Sequence, residues 1–139
     1  MEPTLGAQQE IQVGTPTVME AESPDGRFGV AFEDDGETGY FYARDCSVES
    51  LFVDALHIYS VKDVADRHLP STAHILWSAD SSKACLIINR YPHAAFDFTT
   101  RRGYNRDEFP APTPDTDWSR HPWDDSLRAL FFLYNAHTL

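Results

Sequence analysis

Residues 17–43 read TVMEAESPDGRFGVAFEDDGETGYFYA, and residues 72–98 read TAHILWSADSSKACLIINRYPHAAFDF. When the two stretches are aligned at an offset of 55 positions, Ser23 aligns with Ser78, and the apolar run 30–32 aligns with the apolar run 85–87. In each stretch, alternating apolar residues are separated by clusters of Asp, Gly, Ser and Pro, which is the pattern of strand, turn, strand, turn, strand. The repeat therefore predicts two similar antiparallel meanders.

Turn chemistry sets the strand boundaries. Ser23–Gly26 has Pro at the second and Gly at the fourth position of a type I turn, and Asp35-Gly36 is a strong hairpin signal. Residues 52–61 alternate again with apolar residues on both faces, which is typical of an inner strand. We expect a mainly-β or α+β fold, an antiparallel sheet or sandwich of about seven strands built from the two meanders, with one C-terminal helix.

The domain organisation follows from the segments outside the meanders. Residues 1–16 show no periodic pattern and contain two Pro and two Gly, so we expect a disordered lead, followed by a single globular domain over 17–139. Residues 107–122 contain four prolines and are predicted to be a Pro-rich loop. Residues 124–136 place apolar side chains at helical spacing, which predicts a helix that covers one sheet.

The charge is strongly acidic and unevenly distributed. The formal net charge is −11, and the segment between Met19 and Asp54 contains ten acidic and two basic residues. Such a surface repels phosphate backbones and anionic lipids, so we expect neither a nucleic-acid nor a membrane partner. It favours encounter with a basic protein, although acidic charge can also serve solubility alone.

The N-terminal segment and the cysteines indicate the cellular compartment of the protein. Residues 1–16 lack the basic start and apolar stretch of a signal peptide, and two cysteines without such a signal are typical of a reducing compartment. We therefore expect a cytoplasmic protein.

Seven residues are candidate contacts for a protein partner: three acids of a predicted hairpin turn, two tyrosines in the strand behind it, and two tryptophans that flank the Pro-rich loop. They are Asp34, Asp35, Glu37, Tyr40, Tyr42, Trp118 and Trp123. Large aromatic side chains in a loop either pack against the core and fix the loop there, or remain exposed for contact with a partner. No motif of a nucleophile elbow, a phosphate loop or a Cys-x-x-Cys site is present, so no catalytic residue is predicted.

Histidines are the candidates for a metal site. His57, His74 and His93 lie on three predicted strands and could converge, but none has a partner at the i, i+2 or i, i+4 spacing. His93 and Asp97 lie about 13 Å apart along one strand, too far for a hydrogen bond. We therefore predict no cofactor, and a small-molecule-binding or metal-dependent enzyme that uses these histidines stays an alternative.

The strings FEDDGETGYFYA, DALHIY, WSAD and YPHAAFDF together resemble a small bacterial family of uncharacterised domains, over roughly residues 17–110. The resemblance implies no activity. In size and acidity the chain is also similar, by class alone, to the immunity proteins of bacterial toxin systems.

These observations lead to one functional hypothesis and two alternatives. We expect a non-catalytic protein-binding module, an immunity-type inhibitor that covers a basic bacterial toxin or another cationic partner. The first alternative is the histidine-based enzyme. The second is a structural homodimer joined through strand edges or through the basic cluster of Arg101, Arg102 and Arg106.

Overall fold

Two β-sheets pack face to face around one hydrophobic core in the computed structural model, which describes residues 3–49 and 51–131. One sheet has six strands in the order β1-β6-β7-β8-β9-β10, and the other has four in the order β2-β3-β4-β5. The strands are β1 (Thr4–Ile11), β2 (Thr17–Glu22), β3 (Phe28–Asp34), β4 (Thr38–Asp45), β5 (Asp54–Ser60), β6 (Ser71–Trp77), β7 (Lys83–Ile88), β8 (Tyr91–Asp97), β9 (Arg102–Asn105) and β10 (Ser119–Pro122). Short 3₁₀ helices span Val61–Asp63 and Asp125–Phe131.

The prediction of a mainly-β fold built on two antiparallel meanders is confirmed. The first repeat forms β2-β3-β4 in the four-stranded sheet, and the second forms β6-β7-β8 in the six-stranded sheet. The described residues contain ten strands instead of about seven, because β1, β9 and β10 extend the second meander on both sides. All neighbouring strands are antiparallel except β9 and β10, which run parallel.

The aligned serines of the two repeats make the same turn. Ser23 Oγ donates to the Asp25 carboxylate (2.8 Å), and Ser78 Oγ donates to the Asp80 carboxylate (2.7 Å). Each hydroxyl also accepts a hydrogen bond, at 3.0 Å, from the backbone N–H five residues later. The Arg27 guanidinium reaches the carbonyl oxygen of Asp80 (3.4 Å), so the two turns lie side by side at one end of the sandwich.

The core is built from the inward faces of both sheets. Met19, Phe32, Phe41 and Leu56 face one another across β2 to β5 and are all buried. Phe41 stacks on Phe96 of the opposite sheet with ring centroids 5.1 Å apart. The outward-facing residues of β7 and its neighbours form a second, smaller apolar cluster, against which Trp123 and Leu127 pack. Burial in this cluster raises the pKa of the Cys85 thiol to about 12.

The expectation that residues 1–16 form a disordered lead is wrong for the described part of that segment. Thr4–Ile11 is an edge strand that pairs antiparallel with β6. Its pattern is hard to recognise because Ile11 is its only buried residue, and because a bulge accommodates Gly6. A Cβ at Gly6 would lie 2.8 Å from the Trp77 ring, so the strand crosses this ring only because residue 6 has no side chain.

The Pro-rich segment and the C-terminal helix also differ from expectation. Residues 107–118 form an irregular loop, but residues 119–122 form β10, an edge strand on which proline is tolerated. The described part of the helix predicted over 124–136 is a 3₁₀ helix, Asp125–Phe131, and residues 132–136 lie outside the described residues. Neither described helix is long and apolar enough to cross a membrane.

A buried ion pair anchors the loop to the four-stranded sheet. The Arg120 guanidinium binds both carboxylate oxygens of Asp54 at 2.7 Å, and both side chains are only 5% exposed. The same guanidinium donates to the carbonyl oxygens of Ala55 (3.1 Å) and Pro110 (2.9 Å). Two ends of the loop are therefore held against the start of β5.

We predict that Ile11→Ala destabilises the protein by about 2–4 kcal/mol, because it removes a buried side chain from the core. Leu5→Ala, in the same strand but at a 52% exposed position, should change the free energy of unfolding by less than about 0.5 kcal/mol. Urea denaturation of both variants measures the difference. Equal and negligible effects would mean that residues 4–11 are not part of the folded sheet.

We predict that Arg120→Met destabilises the protein by about 3–5 kcal/mol, because it leaves the Asp54 carboxylate buried without its partner. Arg101→Met is the matched control, since Arg101 pairs with Asp117 at the surface and such pairs contribute about 0–1 kcal/mol. Chemical denaturation monitored by tryptophan fluorescence compares the two variants. Similar losses in both would contradict the anchoring role of Arg120.

Candidate functional site: the outer face of the four-stranded sheet

The outer face of the four-stranded sheet combines aromatic and acidic side chains. Strand register places two rows of residues there, each running across β2, β3, β4 and β5. One row is Val18, Glu33, Tyr40 and His57, and the other is Glu20, Ala31, Tyr42 and Ala55. These residues alternate with the core residues of the same strands, so they point away from the six-stranded sheet.

Ring contacts join the aromatic residues into a continuous strip. Tyr40 stacks on Tyr42 with centroids 5.9 Å apart, and Tyr42 stacks on Phe52 at 4.5 Å. At the other end, the His57 ring lies edge-on to Tyr40 (5.6 Å) and to Phe109 (5.9 Å). Phe52 and Phe109 are 40% and 54% exposed, so the strip presents an apolar surface to solvent at both ends.

A groove of about 480 Å³ lies beside the strip. Gly29 and Ala31 of β3 form its floor, and the side chains of Glu20 and Glu22 on β2 line one wall. Arg44 lies over Gly29, where a Cβ would be 3.3 Å from its guanidinium, and pairs with Glu22 at 3.5 Å. Small residues on the middle strand thus make the face concave.

Negative charge on this face is only partly neutralised. Glu20 and Glu33 make no ion pair with any residue that the structure describes, whereas Glu22 is bound by Arg44. Partial burial, and then the charge of Glu33, raise the pKa of the Tyr42 hydroxyl. The face therefore carries two free carboxylates next to exposed aromatic rings.

Asp34 does not lie on this surface, although it was predicted to be a partner contact in the hairpin turn. It is 1% exposed and accepts hydrogen bonds from Tyr59 Oη (2.6 Å), from Gly14 N–H (2.7 Å) and from Gly36 N–H (2.8 Å). Burial, and then this hydrogen bond, raise the pKa of Tyr59. Asp34 therefore ties the hairpin to the segment between β1 and β2.

Asp35 and Glu37 remain exposed at the hairpin tip. Backbone N–H groups of Glu37 (2.9 Å) and Thr38 (2.8 Å) donate to the Asp35 carboxylate and hold its pKa below the usual value. The tip is therefore acidic at neutral pH, and it adjoins the aromatic strip through β4.

The two candidate tryptophans lie away from this face. Trp118 is 8% exposed and packs edge-on against Phe96 (5.9 Å) and Phe98 (5.5 Å), so it pins the loop to the core. Trp123 packs on the outer face of the six-stranded sheet. The structure brings Tyr40 and Tyr42 together but does not place either tryptophan beside them.

The three candidate metal ligands are separated. His57 lies on the four-stranded sheet, and His74 and His93 lie on β6 and β8 with β7 between them. Among the described residues, no group of three His, Cys, Asp or Glu side chains is placed to hold a metal ion. Burial lowers the pKa of His74, and burial and then the nearby Arg106 lower that of His93 to about 4.

His57 instead contacts two residues that the sequence analysis did not select. Its Nδ1 lies 2.5 Å from Asp107 Oδ2, and its Nε2 lies 3.1 Å from Ser60 Oγ. Asn105 and the backbone N–H of Phe109 donate to the other Asp107 oxygen at 3.1 and 3.0 Å. His57 and Asp107 are 50 positions apart, so no local motif could reveal the pair.

Comparison with known proteins assigns the chain to a family. A family model described as an uncharacterised protein conserved in bacteria, DUF2251, matches residues 11–132. The chain belongs to the DUF2251 family. An uncharacterised protein of Haemophilus influenzae (strain ATCC 51907 / DSM 11121 / KW20 / Rd) is 41% identical to this DUF2251 chain over 124 residues, which cover 84% of this chain and 73% of the relative. No solved structure matches it.

The resemblance to an uncharacterised bacterial family is thus confirmed, and the DUF2251 match runs from the end of β1 to the second 3₁₀ helix and beyond. Tyr40 and Tyr42 were predicted from the sequence, but Glu20, Glu33 and Phe52 on the same face were not. A strand-by-strand register would have been needed to find them, because they come from three separate segments.

We predict that stability falls as the pH is lowered from about 6.5 to about 4, and that His93→Gln reduces this loss. The folded protein holds the pKa of His93 near 4, so in this range the unfolded chain binds the proton more readily than the folded one. The contribution of His93 is about 1–3 kcal/mol, complete above pH 6.5 and lost towards pH 4.

Urea denaturation at pH 7 and pH 4.5 measures this effect. His68→Gln, at an exposed histidine, is the control and should keep the parental pH dependence. An unchanged pH dependence in His93→Gln would show that this histidine is not held neutral in the fold.

Proposed function

We propose that this protein is a protein-binding module that docks a cationic partner on the outer face of its four-stranded sheet. The observation that carries the proposal is the placement of two unpaired carboxylates, Glu20 and Glu33, beside the stacked rings of Tyr40, Tyr42 and Phe52. An Arg or Lys side chain can bind such a carboxylate and lie over an aromatic ring at the same time. Tyrosine and other aromatic residues are also enriched at the energetic centres of protein interfaces.

The distribution of the remaining charges supports this choice of face. Asp34 is buried with hydrogen-bonding partners, and Asp54 is buried in its ion pair with Arg120. Asp25 pairs with Arg27 in the turn between β2 and β3. The acidic segment recognised in the sequence therefore offers its free charge mainly on this face and at the adjoining hairpin tip of Asp35 and Glu37. Electrostatic attraction of this kind mainly speeds association and selects for basic partners.

An immunity-type role is the finer form of this proposal. A small acidic protein that covers the basic surface of a toxin needs one rigid acidic face, and a β-sheet supplies rigid side-chain spacing. A cytoplasmic location belongs to the same proposal, since Cys46 and Cys85 are both free thiols.

The homodimer alternative has weaker support, because two arginines of the basic cluster have internal partners. Arg101 pairs with Asp117, and Arg106 donates to the Pro92 carbonyl oxygen (2.9 Å) and lies over the Tyr91 ring (4.3 Å). Light scattering separates this alternative from a monomer that binds a different protein.

We predict that Glu20→Lys with Glu33→Lys weakens binding of a cationic partner at least about tenfold, since each reversal replaces attraction by repulsion. Isothermal titration measures this with two titrants: the protein encoded by the neighbouring gene and a synthetic arginine-rich peptide. The peptide tests the chemistry of the face, and the neighbouring protein tests the immunity-type role.

Glu10→Lys with Asp124→Lys is the matched control, because it makes the same change in net charge at exposed positions in or next to strands of the six-stranded sheet. It should weaken binding by less than about threefold. Equal weakening by both double variants would mean that net charge, and not this face, attracts the partner. Absence of binding to either titrant would contradict the proposal.

A further inference from the structure

Ser60, His57 and Asp107 are arranged as a nucleophile, a base and an orienting carboxylate. The Asp107 carboxylate can only accept from His57 Nδ1–H, which leaves Nε2 free to accept the Ser60 hydroxyl proton. The 3.1 Å between Ser60 Oγ and His57 Nε2 lies within the hydrogen-bond reach required of a nucleophile and its base. Triads of this kind are recognised by geometry and roles, because they recur on unrelated folds.

The fold holds each member of this set by separate contacts. A register shift between β4 and β5 places Ile58 outside the regular pairing, so that His57 and Ser60 can both face outward with Tyr59 inward between them. Ser60 precedes the first 3₁₀ helix, yet its hydroxyl makes no capping hydrogen bond and is directed to His57 instead.

The carboxylate is held just as firmly. Asn105 is fully buried, and its Nδ2, which carries two hydrogens, lies within hydrogen-bond distance of Asp107 Oδ1 (3.1 Å), the His57 carbonyl oxygen (2.9 Å) and the Phe109 carbonyl oxygen (2.8 Å). The backbone N–H of His57 donates to the Phe109 carbonyl oxygen (2.9 Å). One buried amide thus fixes the base and its orienting group relative to each other.

We propose that Ser60 is the nucleophile of an acyl-transfer site that hydrolyses small esters carrying an anionic group. Ser60 lines an open groove of about 560 Å³ together with Thr38, Glu37, Lys62 and Arg67. Two cations against one carboxylate leave the lining with a net positive charge, which favours an anionic substrate and stabilises negative charge that develops during attack. The proposal does not depend on the docking function, although both sites lie on the same sheet.

The chemical step balances with water as the co-reactant. Ser60 Oγ attacks the ester carbonyl carbon while its proton passes to His57 Nε2, and Asp107 stabilises the imidazolium that forms. The imidazolium then gives the proton to the departing alkoxide as the carbon–oxygen bond of the ester breaks. Water, deprotonated by His57, attacks the acyl-serine and releases the carboxylic acid and the free hydroxyl.

The chain carries an internal comparison for this site. Ser119 Oγ lies 2.8 Å from His121 Nε2, but no carboxylate of the described residues bonds the His121 ring. Ser119 therefore has a neighbouring histidine without the orienting acid. In such a triad the carboxylate keeps the histidine in the correct tautomer and stabilises the imidazolium, which greatly increases the reactivity of the serine. We therefore expect Ser119 to react far more slowly than Ser60.

The test is labelling of the full chain with diisopropyl fluorophosphate, in which Ser60 Oγ displaces fluoride from phosphorus and forms a stable adduct. Intact-mass and peptide mass spectrometry should find one adduct, on Ser60. Ser60→Ala should abolish it, and His57→Gln should slow it at least about a hundredfold, as expected for loss of a general base. Asp107→Asn, which keeps the hydrogen bonds of the loop, should slow it at least about tenfold.

Ser119→Ala should leave the labelling rate unchanged. The labelling is done without any cationic partner, so failure of this proposal is distinguished from failure of the docking proposal. Circular dichroism melts confirm that each variant is folded, and Asp107→Asn keeps the test decisive if His57→Gln unfolds. No adduct on Ser60, equal adducts on Ser60 and Ser119, or labelling of Ser60 that is independent of both His57 and Asp107 would overturn the proposal.

Discussion

The guanidinium of Arg120 holds the Pro-rich segment against the four-stranded sheet, on which both proposed sites lie. It binds both oxygens of the buried Asp54 carboxylate and the carbonyl oxygens of Ala55 and Pro110. Planar, bidentate recognition of this kind is specific to arginine, and the burial of both charges is compensated because each of the three guanidinium nitrogens donates to an oxygen. Through this contact the Pro-rich segment is fixed against β5. Asp107 and Phe109 lie in that segment and reach His57 from there.

The direction in which each acidic side chain points explains why one face carries free carboxylates. A strand alternates its side chains, so an acidic run in the sequence divides between the core and the surface. Asp34 points inward, where Tyr59 and two backbone N–H groups compensate its burial, while Glu33 next to it points outward beside Tyr40. The result is a face with free carboxylates and aromatic rings, on a sheet whose other side is firmly packed.

Most of the fold could be predicted from the repeat. Ser23 and Ser78 mark equivalent turns, and the offset of 55 positions locates the strands that follow them. Features that depend on partners far away in the sequence could not be predicted. β1 has one buried residue and is recognisable only beside β6. The groups that compensate the burial of Asp34, the Tyr59 hydroxyl and the Gly14 N–H, lie 25 and 20 positions away in the sequence. Tyr40 and Tyr42 were predicted to be partner contacts because they lie in the strand that follows the acidic hairpin turn. The contacts of His57 with Ser60 and Asp107 need both a bulge and the anchored loop.

The most direct test of the central claim, that a basic partner docks on the outer face of the four-stranded sheet, is an amide chemical-shift map of the ¹⁵N-labelled protein titrated with an arginine-rich peptide. We expect the largest perturbations in β3 and β4, at Gly29–Glu33 and Tyr40–Arg44, and little change in β6 to β8. Perturbations centred on the six-stranded sheet, or spread evenly over all exposed acids, would contradict the account.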